Sequence, residues 1–400
     1  NNTIQTNNIT NNDYGILIES STNNNIYNNV FDNTQNAIDD TSFNNWNTSY
    51  LNGTTNIVGG TTTGGNYWSD YTGVDNGLGV YPYNTSGDGI GDTQLPYNQN
   101  ITGGDYLPLI STTGVVGYCQ EVTADTILNS NITCVSGDGV TILGDDITLD
   151  CQGFSIIGDG TDAGILVENR DGVTIKNCDV SNFYYGVKVV SSINTNISSG
   201  NNITSNAFYG IYLYGSNDTT IDSNDITNDN NGVYSISSYN SKLTNNTINL
   251  NKKFYGYYGY NSGNTTIYGN TMFNNYHGIY FVGSDEGNIS DNDVSITDVY
   301  SIFLHSGSDS SIIRDNTLMT GKYAAYLKSN SSSNSFINNS IRDHTSSGIY
   351  VKDSEGNLIE SNTIANNSRN VVIYSSPSTL SSHNLISNAS SAVEINHSSS

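Results

Sequence analysis

Apolar residues fall along this chain in short alternating runs, each opened by a small residue and closed by Asn, Gly, Ser or Asp. Gly164-Ile165-Leu166-Val167, Gly186-Val187-Lys188-Val189 and Gly210-Ile211-Tyr212-Leu213 set the pattern. It recurs at Gly232, Gly256, Gly278, Ser301, Ala324, Gly348, Asn370 and Ala392, with successive copies 22–24 residues apart. A second motif, Asn followed two residues later by an apolar side chain, keeps step at Asn201, Asn224, Asn246, Asn270, Asn292, Asn316, Asn339, Asn362 and Asn384. Three residues before most of these Asn lies another apolar residue: Ile221, Leu243, Ile267, Ile289, Ile313, Phe336 and Ile359. Each period therefore holds three short runs of period two separated by turn residues, which predicts strands. No segment carries a helical apolar period long enough for a helix.

A fixed period of this length marks a solenoid, in which each repeat buries its apolar face only against its neighbours. Strands this short, with turns between them, fit a triangular coil. Coils stacked by parallel pairing wind right-handed by the crossover rule. The predicted fold is all-β, a right-handed parallel β-helix with three short strands per coil. Only 4 prolines occur, which leaves backbone donors free for coil-to-coil pairing. The recurring Asn suit hydrogen-bonded columns, and Asn tolerates left-handed turns. Counting the small residue as position 0, positions +1 and +3 should point inward and +2 outward. Position +2 holds Tyr212, Tyr234, Tyr258, Tyr280, Phe303, Tyr326 and Tyr350, and position +4 adds Tyr214 and Tyr260. Such an exposed ring column stabilises the sheet, meets a protein partner or stacks on a sugar chain.

The repeat divides the chain. In residues 1–38, Ile4, Asn7 and Ile9 match Ile26, Asn29 and Phe31, and Gly15 matches Ala37, so this stretch reads as the final coils of one helix. From 39 to 113 the repeat stops. Trp46, Trp68 and three of the 4 prolines lie here, and a solenoid end needs a cover. Residues 39–113 are expected to cap the first helix, and 114–400 to form a second. The run Asn66-Tyr67-Trp68-Ser69-Asp70-Tyr71, then Gly87-Asp88-Gly89-Ile90-Gly91-Asp92-Thr93, then Asp105-Tyr106-Leu107-Pro108-Leu109 resembles the closing segment of NosD-like parallel β-helix proteins. Those repeats are common in archaeal surface proteins. The stretch Cys119–Cys178 is similar to the opening of a NosD-like or pectate-lyase-like β-helix. Family members often carry a fuller acidic run before the Gly-Ile-Gly-Asp. Here Asp75, Asp88 and Asp92 remain as oxygen donors for calcium, against the alternative of a Gly-rich turn with solvated carboxylates.

Composition narrows the function. With 12 Lys and Arg against 37 Asp and Glu, the net charge is −25, and a phosphate backbone is not an expected partner. No apolar run is long enough to span a membrane. All 4 cysteines lie between 119 and 178. Cys151 and Cys178 end equivalent strands of successive coils, so Cys151–Cys178 and Cys119–Cys134 are the expected disulfides, in an oxidising compartment. Zinc is the rival, but no CxxC and no nearby His supports it. Sequons at Asn8, Asn47, Asn84, Asn131, Asn217, Asn264 and Asn330 are glycan acceptors if the chain is exported, although an Asn/Ser/Thr-rich chain also makes sequons by chance.

Catalysis has a weak footing. Asp145-Asp146 and His277-Gly278 resemble parts of polygalacturonase-type sites but lie about six coils apart. Arg314-Asp315 and Arg342-Asp343 read as surface ion pairs. NosD itself is associated with copper-site maturation, whereas here 2 Met and 5 His are scattered. Asn1 opens inside a repeat and Ser400 closes inside one, so the chain reads as a mature form or an excerpt, and copies are expected to join head to tail. The expected function is that of an extracellular structural protein of a cell-surface layer, sheath or fibre. The alternatives are a carbohydrate-binding β-helix using the Tyr column, or a polysaccharide lyase or hydrolase.

Overall fold

The computed structural model describes residues 2–10, 12–41, 43–54, 56–58, 62–73, 75, 89–110, 120–128, 131–134, 137–251 and 253–396. The chain is an all-β parallel solenoid in two compact units, Asn1–Val116 and Gly117–Ser400. Among the described residues no helix is long and apolar enough to cross a membrane.

In the second unit each coil has three strands. Asn196–Ser198, Asn202–Thr204 and Tyr209–Tyr214 make one coil, and they pair in parallel with Thr220–Asp222, Asp225–Thr227 and Asn231–Ile236 of the next. The first strands stack into a 12-stranded sheet running from Thr126–Ile127 to Leu380–Ser382. Twice the second and third strands fuse, in Thr317–Lys328 and Ser340–Lys352. A three-residue strand turns only its middle side chain inward. Ile197, Ile203, Ile221 and Ile226 are therefore buried, and together with Ile211 and Leu213 they build one continuous core.

Turns are held by polar ladders. The Oδ1 of Asn246 accepts both the backbone N–H (2.9 Å) and the Nδ2 (3.1 Å) of Asn224 one coil earlier, while Asn224 Nδ2 also donates to the Ile197 carbonyl. The same bonds run on through Asn270, Asn292, Asn316, Asn339, Asn362 and Asn384. The left-handed turn expected at these Asn falls instead one residue earlier, on Ser223, Asn245, Gly269, Asp291, Asp315, Asn338, Ser361 and His383. That placement leaves the ladder Asn extended, so its amide points inward to a buried partner. A second column passes from Ser192 through Ser216, Ser238, Ser262, Ser284, Ser308, Ser331 and Ser354 to Ser376, each backbone N–H donating to the next hydroxyl.

The first unit pairs Thr3–Gln5 with Asn25–Tyr27, Asn8–Thr10 with Val30–Asp32, and Tyr14–Ile18 with Gln35–Asp39. Ile16, not Gly15, faces Ala37, so the third side is one residue shorter than the sequence match implied. Nor does the stacking stop at residue 38, because Tyr67–Trp68 adds a further parallel strand on Val30–Phe31. Two Asn ladders run through this unit, and each ends on a carboxylate. Asn7, Asn29 and Asn66 lead to Asp105, and Asn2, Asn24 and Asn44 lead to Asp39. Trp68 Nε1 donates to Asp105 at 2.9 Å and Trp46 Nε1 to Asp39 at 3.0 Å. A carboxyl oxygen that accepts from the last Asn closes a ladder that would otherwise leave donors unpartnered. Phe31, Trp68 and Tyr97 stack below, with centroids 4.7 and 4.3 Å apart.

Candidate binding face

From Ala163–Glu168 onward the third strand of each coil runs from position −1 to +4 and breaks alternation at position 0. In Tyr209–Tyr214, Gly210 and Ile211 are both buried, so positions −1, +2 and +4 face outward. The inward turn brings the backbone at position 0 against the next coil. A Cβ on Gly210 would meet the Gly232 carbonyl oxygen at 2.7 Å, and one on Gly232 would meet that of Gly256 at 2.6 Å. This is why the repeat opens on a small residue.

Position +2 forms the expected ring column: Tyr212, Tyr234, Tyr258, Tyr280, Phe303, Tyr326 and Tyr350 face one another in register. Centroids are 4.4 Å apart for Tyr234–Tyr258, 5.7 Å for Tyr258–Tyr280 and 4.8 Å for Tyr326–Tyr350. The column is not the fully exposed stripe that alternation predicts. Its tyrosines are half-buried, and Phe303 is only 4% exposed.

The cover comes from a second ladder at position −1, comprising Tyr185, Tyr209, Tyr255, His277, Tyr300 and Tyr323, with buried Asn231 in place of a ring between Tyr209 and Tyr255. Tyr209 lies 5.1 Å from Tyr212, Tyr255 4.7 Å from Tyr258, and Tyr300 4.6 Å from Phe303. Tyr184 and Tyr276 at the near edge, and Tyr214 and Tyr260 at the far edge, are exposed. The result is an aromatic platform whose rings pack partly face to face (Tyr234–Tyr258, 14° between planes) and partly tilted (Tyr280–Phe303, 59°), with wet margins. Burial raises the pKa of Tyr209, Tyr258, Tyr280 and Tyr326, so these phenols stay neutral hydrogen-bond donors. His277 replaces a tyrosine in the second ladder, between Tyr255 (5.3 Å) and Tyr300 (5.0 Å). Burial lowers its pKa to about 4, so it is a neutral ring at pH 7.

The other residues singled out from sequence do not converge. Asp145 and His277 are separated by six successive strand pairings, about 29 Å at roughly 4.8 Å each. Arg314 and Arg342 bond the acids that follow them, at 2.7 and 3.1 Å. Cys151–Cys178 is a disulfide with Cα atoms 4.7 Å apart. Cys134 is buried, and its expected partner Cys119 lies outside the described residues. For calcium, Asp75 accepts the Gly89 backbone N–H at 2.8 Å, Asp92 is buried, and Asp88 lies outside the described residues. Asn8, Asn131, Asn264 and Asn330 are exposed, Asn47 and Asn217 half-buried, and Asn84 lies outside the described residues.

Solved structures share the architecture. The Dettilon tailspike protein aligns with TM-score 0.52 at 16% identity, over 71% of this chain and 60% of its own. A periplasmic alginate epimerase aligns with TM-score 0.48 at 14% identity, over 67% and 78%. The surface adhesin PfbA of Streptococcus pneumoniae aligns with TM-score 0.37 at 12% identity, over 71% and 78%. At these identities the likeness is one of fold alone. No curated protein sequence matches. The family described as periplasmic copper-binding protein (NosD) matches residues 1–73, 98–295 and 253–400.

The residues do not fit the copper of that description. Among the described residues no three His, Cys, Asp or Glu converge, Met272 is buried in the core, and His344 bonds Asn367 at 3.0 Å. A copper site needs soft or imidazole ligands gathered at one point. The match covers nearly the whole chain, and the chain belongs to the NosD family.

Proposed function

We propose that this chain is an exported β-helix that holds a glycan chain against its aromatic platform. The observation that carries the reading is the pair of ring ladders, Tyr212 to Tyr350 at position +2 and Tyr185 to Tyr323 at position −1, the latter broken at Asn231, with further rings exposed along both margins. A ring offers a flat apolar surface and, in tyrosine, a hydroxyl that bonds at the wet edge. That combination suits the mixed C–H and hydroxyl faces of sugars. A platform in register across many coils suits a linear polymer better than a small molecule, which needs a concavity. Export is supported by the periplasmic placement in the family's description, by the Cys151–Cys178 disulfide and by exposed sequons.

A glycan array probed with the full chain tests this. Tyr258→Ala with Tyr280→Ala should abolish the binding while the far-ultraviolet spectrum stays that of the parent. Undiminished binding by this variant contradicts the reading.

The second reading is a structural component of a surface layer or sheath whose copies associate. It is motivated by the Asn and Ser ladders, which tie successive coils of the second unit together. Under it, the native material shows filaments or a lattice in the electron microscope, and the array shows no binding.

A further inference from the structure

The aromatic platform reverses the charge of the chain. Overall, acids outnumber bases 37 to 12. Yet at positions −1, +2 and +4, from the coil of Tyr185 to the coil of Tyr374, there is no Asp or Glu. The same three ladders carry Lys188, Lys328, Lys352 and Arg369. Lys253 reaches in from just before its strand and Lys322 from within Thr317–Lys328, while the exposed acids Asp298 and Asp353 lie just outside the ladders. Ammonium groups lie over rings at Lys188–Tyr185 (5.0 Å), Lys253–Phe254 (5.8 Å), Lys322–Tyr323 (5.7 Å) and Lys352–Tyr374 (5.4 Å). The Arg369 guanidinium lies 5.8 Å from the Tyr350 centroid.

Acids return at both ends of the platform. Glu168 pairs with Val190 before it, and Glu394 pairs with Val372 after it. Among the described residues, Lys176, Arg314 and Arg342 are spent on ion pairs outside these ladders. On the platform only Arg369 meets an acid within 4 Å, Glu394 at 3.8 Å. Lys188, Lys253, Lys322, Lys328 and Lys352 enter no ion pair among the described residues.

From this we infer that the ligand of the platform is an anionic polysaccharide, a linear chain of sugars bearing carboxylates. The inference rests on the glycan-binding reading and adds the charge of the substrate. The platform spans eight strand pairings, about 38 Å at roughly 4.8 Å each, and so meets several sugars at once. Cations sit near one end (Lys188), near the middle (Lys253) and in a group at the other end (Lys322, Lys328, Lys352, Arg369). Rings between them take the apolar sugar faces. The net charge of the chain does not forbid a polyanion, because charges more than about 8 Å away are largely screened at physiological salt. Local cations over low-dielectric rings therefore decide the sign of the field that the ligand meets.

The test is calorimetric titration of the full chain with polygalacturonate and polymannuronate, each as the free acid and as its methyl ester. The esters keep the backbone and remove the charge. The acids should bind at least about tenfold more tightly than the esters, and the gap should close at high salt. In the Lys188→Gln, Lys352→Gln, Arg369→Gln variant, which keeps Lys253, Lys322 and Lys328, the gap between acid and ester should narrow. If esters bind the parent as tightly as the acids, glycan binding stands and the charge inference is overturned. If the neutral glycans of the array bind and neither polyuronate does, it is overturned likewise. Equal affinity for a linear polyphosphate overturns the sugar requirement and leaves simple ion exchange. Binding of none of these, with a blank array, removes both the inference and the reading under it.

Discussion

Asp105 shows how one residue can close a stack of coils. It is fully buried and accepts the Asn66 backbone N–H at 2.7 Å, the Trp68 indole N–H at 2.9 Å and the Leu107 backbone N–H at 3.0 Å. Burial raises its pKa to about 7, and the donated bonds offset part of that rise. A carboxyl whose folded pKa is raised binds its proton more tightly folded than unfolded. Its contribution is fully present at acid pH and is lost as pH climbs from about 4 to about 7. Both tryptophans lie in this unit, so indole fluorescence reports its unfolding alone. The denaturation midpoint should fall over that window by the equivalent of up to roughly 4 kcal/mol. Asp105→Asn should flatten the dependence, and a parent midpoint that rises through the window would count against the assignment.

Asn292 makes the corresponding prediction within a ladder. Its replacement by Ala removes the acceptor of the Asn270 backbone N–H and the side-chain donor to the Ile267 carbonyl, at about 1–3 kcal/mol for each buried group. Urea denaturation should therefore show a loss of at least about 2 kcal/mol. Asn spacing made this ladder legible in the sequence. The Ser column has the same spacing, but in a chain so rich in serine its members do not stand out.

At the scale of the strand, the period, the parallel register and the +2 column all follow from alternation. The −1 ladder does not, because the rule of two fails at position 0. Gly210 and Ile211 are both inward, so Tyr209 and Tyr212, three residues apart, share one face. An alternation rule restarted at each small residue would have found Tyr185, Tyr209, Tyr255, Tyr300 and Tyr323. The tight backbone approach there gives its own prediction. Gly232→Val would drive side-chain atoms into the Gly256 carbonyl and the Ile248 side chain, so soluble yield should collapse, whereas Ser223→Ala on a turn should be tolerated. The Cys151–Cys178 bridge joins adjoining coils just past the paired strands Thr148–Asp150 and Thr174–Lys176, Cys178 lying one residue beyond the register partner of Cys151. Replacing both cysteines with Ser should lower the stability of the second unit by about 2–4 kcal/mol in urea, with the loss of hydrogen-exchange protection concentrated around Leu149 and Ile175. Unchanged stability would make the bridge incidental.

Over the whole molecule, the sequence states its repeat far more plainly than its purpose. A β-helix needs the same inward residues whatever it does, so the core and the ladders carry little functional information. What distinguishes this chain is the outward positions of a single side of the second unit, where rings and cations collect. The copper of the family description has no such gathering of ligands among the described residues. The most direct test is hydroxyl-radical footprinting of the full chain with and without a bound polyuronate. Tyr184, Tyr214, Tyr260 and Tyr276 are exposed rings on the platform, and Tyr239 and Tyr268 are similarly exposed rings outside its ladders. The account predicts protection of the first four on binding, with Tyr239 and Tyr268 oxidised as before. Protection of Tyr239 and Tyr268 while the platform rings stay reactive would contradict it.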